Sequence, residues 1–316
     1  MNRFSHSKID CFMFCPNKFK KRYLQRIEPL KKAKPLALGS CMAAGLAAYR
    51  EHEKIKSKRI SDLDFDITMD ADKITEETIH IESMSPVDIA QDAFMRTWIK
   101  EGQVLNIEKK DDPIRCVKRG LEILENYTVE YPDDPTDFIQ PEIRFAEEIG
   151  EHEGEVITYS GRIDGVIMLD RKTQRVAIDE DKTMTRLGPV YFSELRSSYQ
   201  VLWYLWMAKK LGLFSIYGPQ KPICLMNAVY IHKEHNRFER ELAVKTDREV
   251  DESFSDLWNW IILIRHCIKV DLFPKSGSKA CMQWGGCEYL PLRNCSPSIE
   301  KQLIKKSYKI TESRTI

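Results

Sequence analysis

No apolar run in the 316 residues approaches the roughly 20 needed to cross a bilayer. The longest, Val201 to Ala208, is eight residues and contains two Trp. Arg3 and Lys8 are not followed by a continuous apolar segment, so no secretory leader is expected and the expected setting is the reducing cytoplasm. No Gly-x-x-x-x-Gly-Lys-Ser/Thr loop is present, which argues against a nucleotide-driven motor. Internal repeats and low-complexity tracts are lacking too. With 42% hydrophobic and 31% charged residues, wholesale disorder is not expected. Net charge is nearly absent at +1, so no global signal for nucleic acid exists. Nine cysteines are an odd number, well under the density of a disulfide scaffold. They leave three readings: buried apolar thiols, a reactive thiol, or metal ligation.

The small net charge conceals blocks. Residues 1–35 hold ten Lys/Arg against Asp10 and Glu28, a balance of +8. Residues 61–112 hold fourteen Asp/Glu against five Lys/Arg, a balance of −9. The stretch 299–316 is basic again, with Lys301, Lys305, Lys306, Lys309 and Arg314. The N-terminal block interleaves Phe14, Phe19 and Tyr23 with its cations, a pattern suited to a phosphate-facing surface. The acidic segment 61–112 is a candidate docking surface for a protein partner; chance blocks in a charged chain are the alternative.

Helical periodicity spans residues 5–27, capped by Ser5 or Ser7 and interrupted by Pro16. Further helices are expected over 36–53, 87–101 and 113–131, with an acidic, partly irregular insertion at 61–90. The period then changes to two. Strands are expected over 138–149, 156–168 and 175–183, then an aromatic helix over 192–213. Strands at 222–233 and 238–244 form a hairpin over His235 and Asn236, and a helix over 250–270 follows. This order reads as an α/β chain: N-terminal helices (1–55), an acidic helical insertion (56–135), a core (136–270), a Cys loop (271–297) and a basic tail (298–316).

The most informative stretches are Gly161-Arg162-Ile163-Asp164-Gly165 and Ile178-Asp179-Glu180-Asp181-Lys182-Thr183. Asp164 and the 179–181 acids interrupt apolar strands, where a charge is costly unless it binds a cation or another charge. On adjacent strands Asp164 and Glu180 converge, and Lys182 shares the face of Glu180 because strand side chains alternate. Two carboxylates and a lysine suit Mg²⁺ or Mn²⁺ and phosphate chemistry. A surface hairpin with solvated ion pairs is the alternative.

These stretches resemble the PD-(D/E)XK nuclease superfamily. Gly161-Arg162-Ile163-Asp164 is similar to the "GRID" strand of its RecB-type branch, and Glu180-x-Lys182-Thr183 to that branch's "DYKT" strand. Tyr199-Gln200-Val201-Leu202-Trp203-Tyr204 resembles its "QxxxY" helix. The resemblance implies a restriction-endonuclease-like α/β core, a central mixed sheet flanked by helices, in one nuclease domain with a helical N-terminal region and a Cys-rich C-terminal loop. It implies catalytic Asp164, Glu180 and Lys182; metal ligands Asp164, Glu180, Asp181 and Glu142; and DNA contacts from Gln200, Tyr204 and Arg162. The family's Gly-x-x-x-His pattern corresponds to Gly39 through Ala43, with Ala43 standing where many relatives carry a metal-binding His.

Ser5, Ser7, Cys15, Pro16 and Phe19 resemble the branch's iron–sulfur beginning, and Cys281, Cys287 and Cys295 its cysteine tail. The resemblance implies a [4Fe–4S] cluster on these four cysteines, with structural zinc or no metal as alternatives. Cys41, Cys116, Cys224 and Cys267 sit in apolar contexts and read as core thiols. The implied activity is Mg²⁺- or Mn²⁺-dependent DNA cleavage by an exonuclease of recombination, repair or phage DNA processing. The implied substrate is single- or double-stranded DNA ends. With Ala43 in mind, the alternative is a catalytically weak or inactive DNA-binding module on the same fold.

Overall fold

The computed structural model describes residues 1–30, 34–65, 84–101, 116–185, 189–215, 219–232, 235–282 and 286–311. After β1 (Arg3–Phe4), Ser5 caps α1 (His6–Phe14) by accepting from the Lys8 amide at 3.4 Å. Pro16 then opens α2 (Pro16–Phe19) at a position where its missing N–H is not needed. A π-helical turn over Lys20–Leu24 leads to β2 (Ile27–Pro29). The helix expected over 36–53 is longer, α3 (Lys34–Phe65). A capping box between Ser85 and Asp88 starts α4 (Pro86–Lys100), and α5 (Val117–Glu130) and the single turn α6 (Asp134–Asp137) follow. Residues 66–83 and 102–115, most of the expected acidic insertion, lie outside the described residues.

Three long strands come next: β3 (Phe138–His152), β4 (Glu155–Asp170) and β5 (Arg175–Met184). The single aromatic helix expected over 192–213 is instead two, α7 (Pro189–Arg196) and α8 (Tyr199–Lys210). Ser198 is the reason. Its backbone is extended and its hydroxyl accepts from the Val201 amide at 3.3 Å, which starts a new helix. β6 (Ile223–Ile231), β7 (Asn236–Val244) and α9 (Asp247–Lys269) complete the expected elements. The Cys loop holds a short α10 (Ser278–Met282). The expected basic tail is ordered structure: α11 (Pro297–Ser307), capped by Ser296, then β8 (Tyr308–Ile310).

The chain clusters into two compact units of interleaved segments. One comprises Ala33–Ile143 and Arg162–Asp251. In it β4 pairs antiparallel with β5, β5 parallel with β6, and β6 antiparallel with β7, a central mixed sheet. β3 also pairs with β4. Leu46 and Tyr49 of α3, Phe94 and Trp98 of α4, Ile123 and Leu124 of α5, and Val229 and Ile231 of β6 form its largest apolar cluster. The helices α3 and α8 flank the sheet on its two faces, because alternate residues of β5 reach one or the other (Asp181 meets Arg50 of α3, and Glu180 meets Gln200 of α8). This is the expected restriction-endonuclease-like architecture.

The other unit comprises Met1–Lys32, Arg144–Gly161 and Glu252–Ile316. Here β1 lies parallel to the first half of β4, Arg3 opposite Thr158. Both ends of the chain meet in an antiparallel pair, with β2 against β8 and Ile27 opposite Ile310. Ile27, Tyr289, Leu292 and Tyr308 make its apolar centre. Three of the N-terminal cations are ion-paired with acids of the C-terminal segment: Lys18 with Glu288 at 3.1 Å, Lys20 with Asp271 at 2.6 Å, and Lys21 with Glu300. Among the described residues no helix is long and apolar enough to cross a membrane.

Candidate active site

The paired register of β4 on β5 ends with Gly165 opposite Asp179, and one residue further along each strand the same alternation puts Asp164 on the face of Glu180. Opposed residues of an antiparallel pair share a face, so the two carboxylates converge. Two glycines allow the close packing around them. A Cβ on Gly165 would stand 2.6 Å from the Phe138 ring of β3. One on Gly39 of α3 would stand 3.3 Å from the Thr183 hydroxyl, beside the end of the Glu180–Lys182 strand.

Glu180 is 1% exposed. Its Oε1 accepts from Lys182 Nζ and, at 2.7 Å, from Gln200 Nε2. Lys182 Nζ also donates to Gln200 Oε1 at 3.0 Å, closing a three-membered ring of side chains. Tyr204, one turn along α8, is buried and hydrogen-bonded to Gln200. Asp164 accepts the Asp181 backbone N–H at 3.0 Å. Arg162 stands between two acids, 3.0 Å from Glu142 and 3.6 Å from Asp164. Glu142 adopts a left-handed backbone, φ 48°, which is rare outside glycine and turns up at functional sites.

Electrostatics follow from burial. Desolvation pushes the Asp164 carboxyl up to about 7, reinforced by the charges of Glu180 and Asp181. Burial raises Glu180 as well, against the pull of Lys182. For Lys182 burial acts downward, but Glu180, Asp164 and Asp181 outweigh it and hold the ammonium above its ordinary value. Burial and the neighbouring carboxylates raise the phenols of Tyr204 and Tyr191.

The expected residues are not all brought together. Asp164, Glu180, Lys182, Gln200 and Tyr204 share one site, with Arg162 and Glu142 at its rim. Asp181 turns its carboxylate to the opposite face of β5, where Arg50 and Asn227 hold it. The alternation that joins Glu180 to Lys182 sends Asp181 behind the strand with Asp179. Ala43 is half-buried on α3 and brings no ligand. Sequence reading missed Arg50, Tyr127, Asn227 and Arg240, which surround the back of β5. A lone arginine within an Ala-rich helical face was the only available signal.

A divalent cation fits the front face on two observations. Glu180 Oε2 is buried and has no hydrogen-bond partner. Asp164 is a carboxylate whose charge is poorly compensated where it stands. Two carboxylates suffice for a cation that keeps several waters. Among the described residues no group of three or more His, Cys, Asp or Glu is arranged to hold a metal ion.

In the other unit, Cys15, Cys281 and Cys287 line one cavity with Lys18, Lys275 and Arg293, and Arg293 Nη1 contacts Cys281 Sγ. Cys295 is half-buried and is not among the residues lining that cavity. Cys41, Cys116, Cys224 and Cys267 are buried, as core thiols should be.

Residues 3–292 match the family model of the PD-(D/E)XK nuclease superfamily. Among solved structures, the chain is similar to a candidate exonuclease from Eubacterium rectale. The TM-score is 0.52 at 12% identity, over 93% of this chain and 89% of that one, a likeness of fold. A likeness to SSO0001 is weaker, with a TM-score of 0.27 at 16% identity over 54% of this chain and 64% of that one, and carries no argument. No curated protein matches the sequence.

Proposed function

The chain belongs to the PD-(D/E)XK nuclease superfamily, and from that membership we propose that it is a divalent-metal-dependent deoxyribonuclease. It acts as an exonuclease on DNA ends in the cytoplasm, in recombination, repair or phage DNA processing. The observation that carries the reading is the convergence of Asp164, Glu180 and Lys182 on one face of β4 and β5. Asp164 and Glu180 would hold Mg²⁺ or Mn²⁺, which when bound supplies Lewis acidity toward a phosphodiester oxygen. Lys182, held above its ordinary range, stays charged at neutral pH. It therefore neutralises negative charge that develops on the phosphorus oxygens and orients the attacking water, and does not itself take the proton. Gln200 keeps the ammonium aimed by accepting from it while donating to Glu180. Tyr204 steadies Gln200 from the next turn of α8. Arg162, exposed at the rim, meets the substrate phosphate, and Glu142 aims it. Cleavage of end-labelled DNA that requires Mg²⁺ or Mn²⁺ and disappears in Lys182→Ala tests the reading.

The absence of a ligand at Ala43 favours a second reading, a module that binds DNA without cutting it. It is distinguished by salt-sensitive DNA binding with no product under either metal. We also propose that Cys15, Cys281, Cys287 and Cys295 hold a structural [4Fe–4S] cluster. Support comes from three of the four sharing a cavity, where burial acts upward on Cys15 but hydrogen bonds from Ser276 and Lys18 outweigh it and hold its thiol below the ordinary value. Against it stands Cys295, outside that lining. Iron and acid-labile sulfide in anaerobically purified protein, lost in Cys15→Ser, test the assignment; a colourless zinc protein refutes it.

A further inference from the structure

Behind β5, on the face opposite Glu180 and Lys182, α3 inserts Arg50, 1% exposed. Its Nη1 is 2.5 Å from Asp181 Oδ2 and 3.1 Å from Asp179 Oδ2. Its Nη2 donates to Asp181 Oδ1 at 2.9 Å and to the Tyr127 hydroxyl at 3.0 Å. The guanidinium also lies 4.1 Å from the centre of the Phe138 ring. Asn227 of β6 donates to Asp181 Oδ1 at 2.6 Å, and Arg240 of β7 reaches Asp134 at 2.7 Å. Asp181 is thus gripped by a two-pronged guanidinium and an amide. Such a fork fixes both the position and the plane of a carboxylate, which a lysine ammonium cannot do.

The same Asp181 presents its backbone N–H to Asp164 Oδ2 on the front of the strand, at 3.0 Å. Glu180 and Lys182 are its chain neighbours. A displacement of Asp181 therefore moves all three front-face groups at once: the amide that holds Asp164, and the Cα atoms of Glu180 and Lys182. We propose that Arg50 is a positioning residue for metal binding, setting the spacing of Asp164 and Glu180 by clamping Asp181 from behind. The proposal rests on the assignment of Asp164 and Glu180 as metal ligands. It gives α3, the helix that carries Ala43, a structural role on the far side of the sheet, seven residues beyond that position. Groups that orient metal ligands from outside the coordination sphere are worth about 10–100-fold in metal affinity or activity.

The test uses the full chain and Mn²⁺ as the probe. Mn²⁺ binding is read by electron paramagnetic resonance, the metal dependence of cleavage on end-labelled DNA, and the thermal midpoint separately. Arg50→Lys keeps the charge and removes the fork. It is expected to weaken Mn²⁺ binding about 10-fold or more and to raise the Mn²⁺ needed for half-maximal cleavage by the same factor. Phe94→Leu, in the α4 core away from β5, lowers stability without touching Asp181 and leaves Mn²⁺ affinity unchanged. Asn227→Ser removes one of the three grips on Asp181 and gives a smaller shift in the same direction. It carries the test alone if Arg50→Lys does not fold. The proposal is overturned if Arg50→Lys, or in its place Asn227→Ser, lowers the thermal midpoint like Phe94→Leu but binds Mn²⁺ like the unmodified protein. Asp164→Asn separates the two levels. If it abolishes Mn²⁺ binding while Arg50→Lys does not, the site reading stands and the role of Arg50 falls; if it binds Mn²⁺ normally, the site reading itself fails.

Discussion

Asp164→Asn keeps the size of the side chain and removes its charge. In the folded protein burial pushes the Asp164 carboxyl up to about 7, from the ordinary 3.8 of the unfolded chain. A raised folded value means that the folded state binds more protons than the unfolded chain between those two pH values. Stability from this group therefore falls as pH rises through that window and is level above it. Each pH unit inside the window is worth about 1.4 kcal/mol. From about pH 5 to about pH 8 the group crosses roughly two units of it, so the chelated wild type should lose about 3 kcal/mol more than Asp164→Asn. That figure is a ceiling, since Glu180 and Asp181 titrate with it. The assay is urea unfolding followed by tryptophan fluorescence, both proteins in excess EDTA, at the two pH values. Comparing the pH-induced changes cancels the contribution of groups that do not interact with Asp164. Mn²⁺ added at the higher pH should restore the wild type and not the variant, because only the wild type has the charge that the cation neutralises. Equal pH dependence in the two proteins would refute the claim that Asp164 is a poorly compensated buried carboxylate awaiting a cation.

Cleavage should show the same group from the other side. In limiting Mn²⁺ the apparent metal affinity read from cleavage should rise with pH through about 7, because Asp164 must give up its proton to take the cation, and an affinity that does not change over that range would contradict the assignment. Gly165→Ala places a Cβ 2.6 Å from the Phe138 ring. It should destabilise by about 1–3 kcal/mol, measured by urea unfolding, unless β3 shifts away. Ser198→Ala removes the cap that divides α7 from α8 and should cost about 1 kcal/mol on the same assay. Tyr204→Phe removes a hydrogen bond to Gln200 without touching Lys182, so turnover should drop far less than in Lys182→Ala.

Fold and site were legible to different depths. The strands expected over 138–149, 156–168 and 175–183 announced themselves through period-two apolar residues and run over 138–152, 155–170 and 175–184, and the Asp164–Glu180 convergence was expected from adjacent strands. Ser198 was one of three serines (Ser193, Ser197 and Ser198) in the stretch read as a single helix, and only its extended backbone marks it as the cap. The 298–310 segment read as a basic tail, since its helix exposes Lys301, Lys305 and Lys306 and its strand finds its partner only in distant β2. Asp181 was assigned to the metal with the resemblance, although strand alternation sends its carboxylate to Arg50. The cluster of buried Arg50, Tyr127, Asp134 and Asn227 with half-buried Arg240 draws on five elements. No local pattern encodes such a set. The basic N-terminal block looked like a phosphate surface, and three of its ten cations are met by Glu288, Asp271 and Glu300 from the other end of the chain.

The central claim is that Asp164, Glu180 and Lys182 form a metal-dependent DNA-cleaving site. It is tested most directly by incubating the purified protein, Lys182→Ala and Asp164→Asn with end-labelled single- and double-stranded DNA in Mg²⁺, Mn²⁺ or EDTA. The expected result is degradation by the wild type in either metal, none in EDTA, and none by the two variants, both still folded by circular dichroism. Metal-dependent cleavage that survives unchanged in both variants, or a folded wild type that binds DNA and never cuts it, would contradict the account.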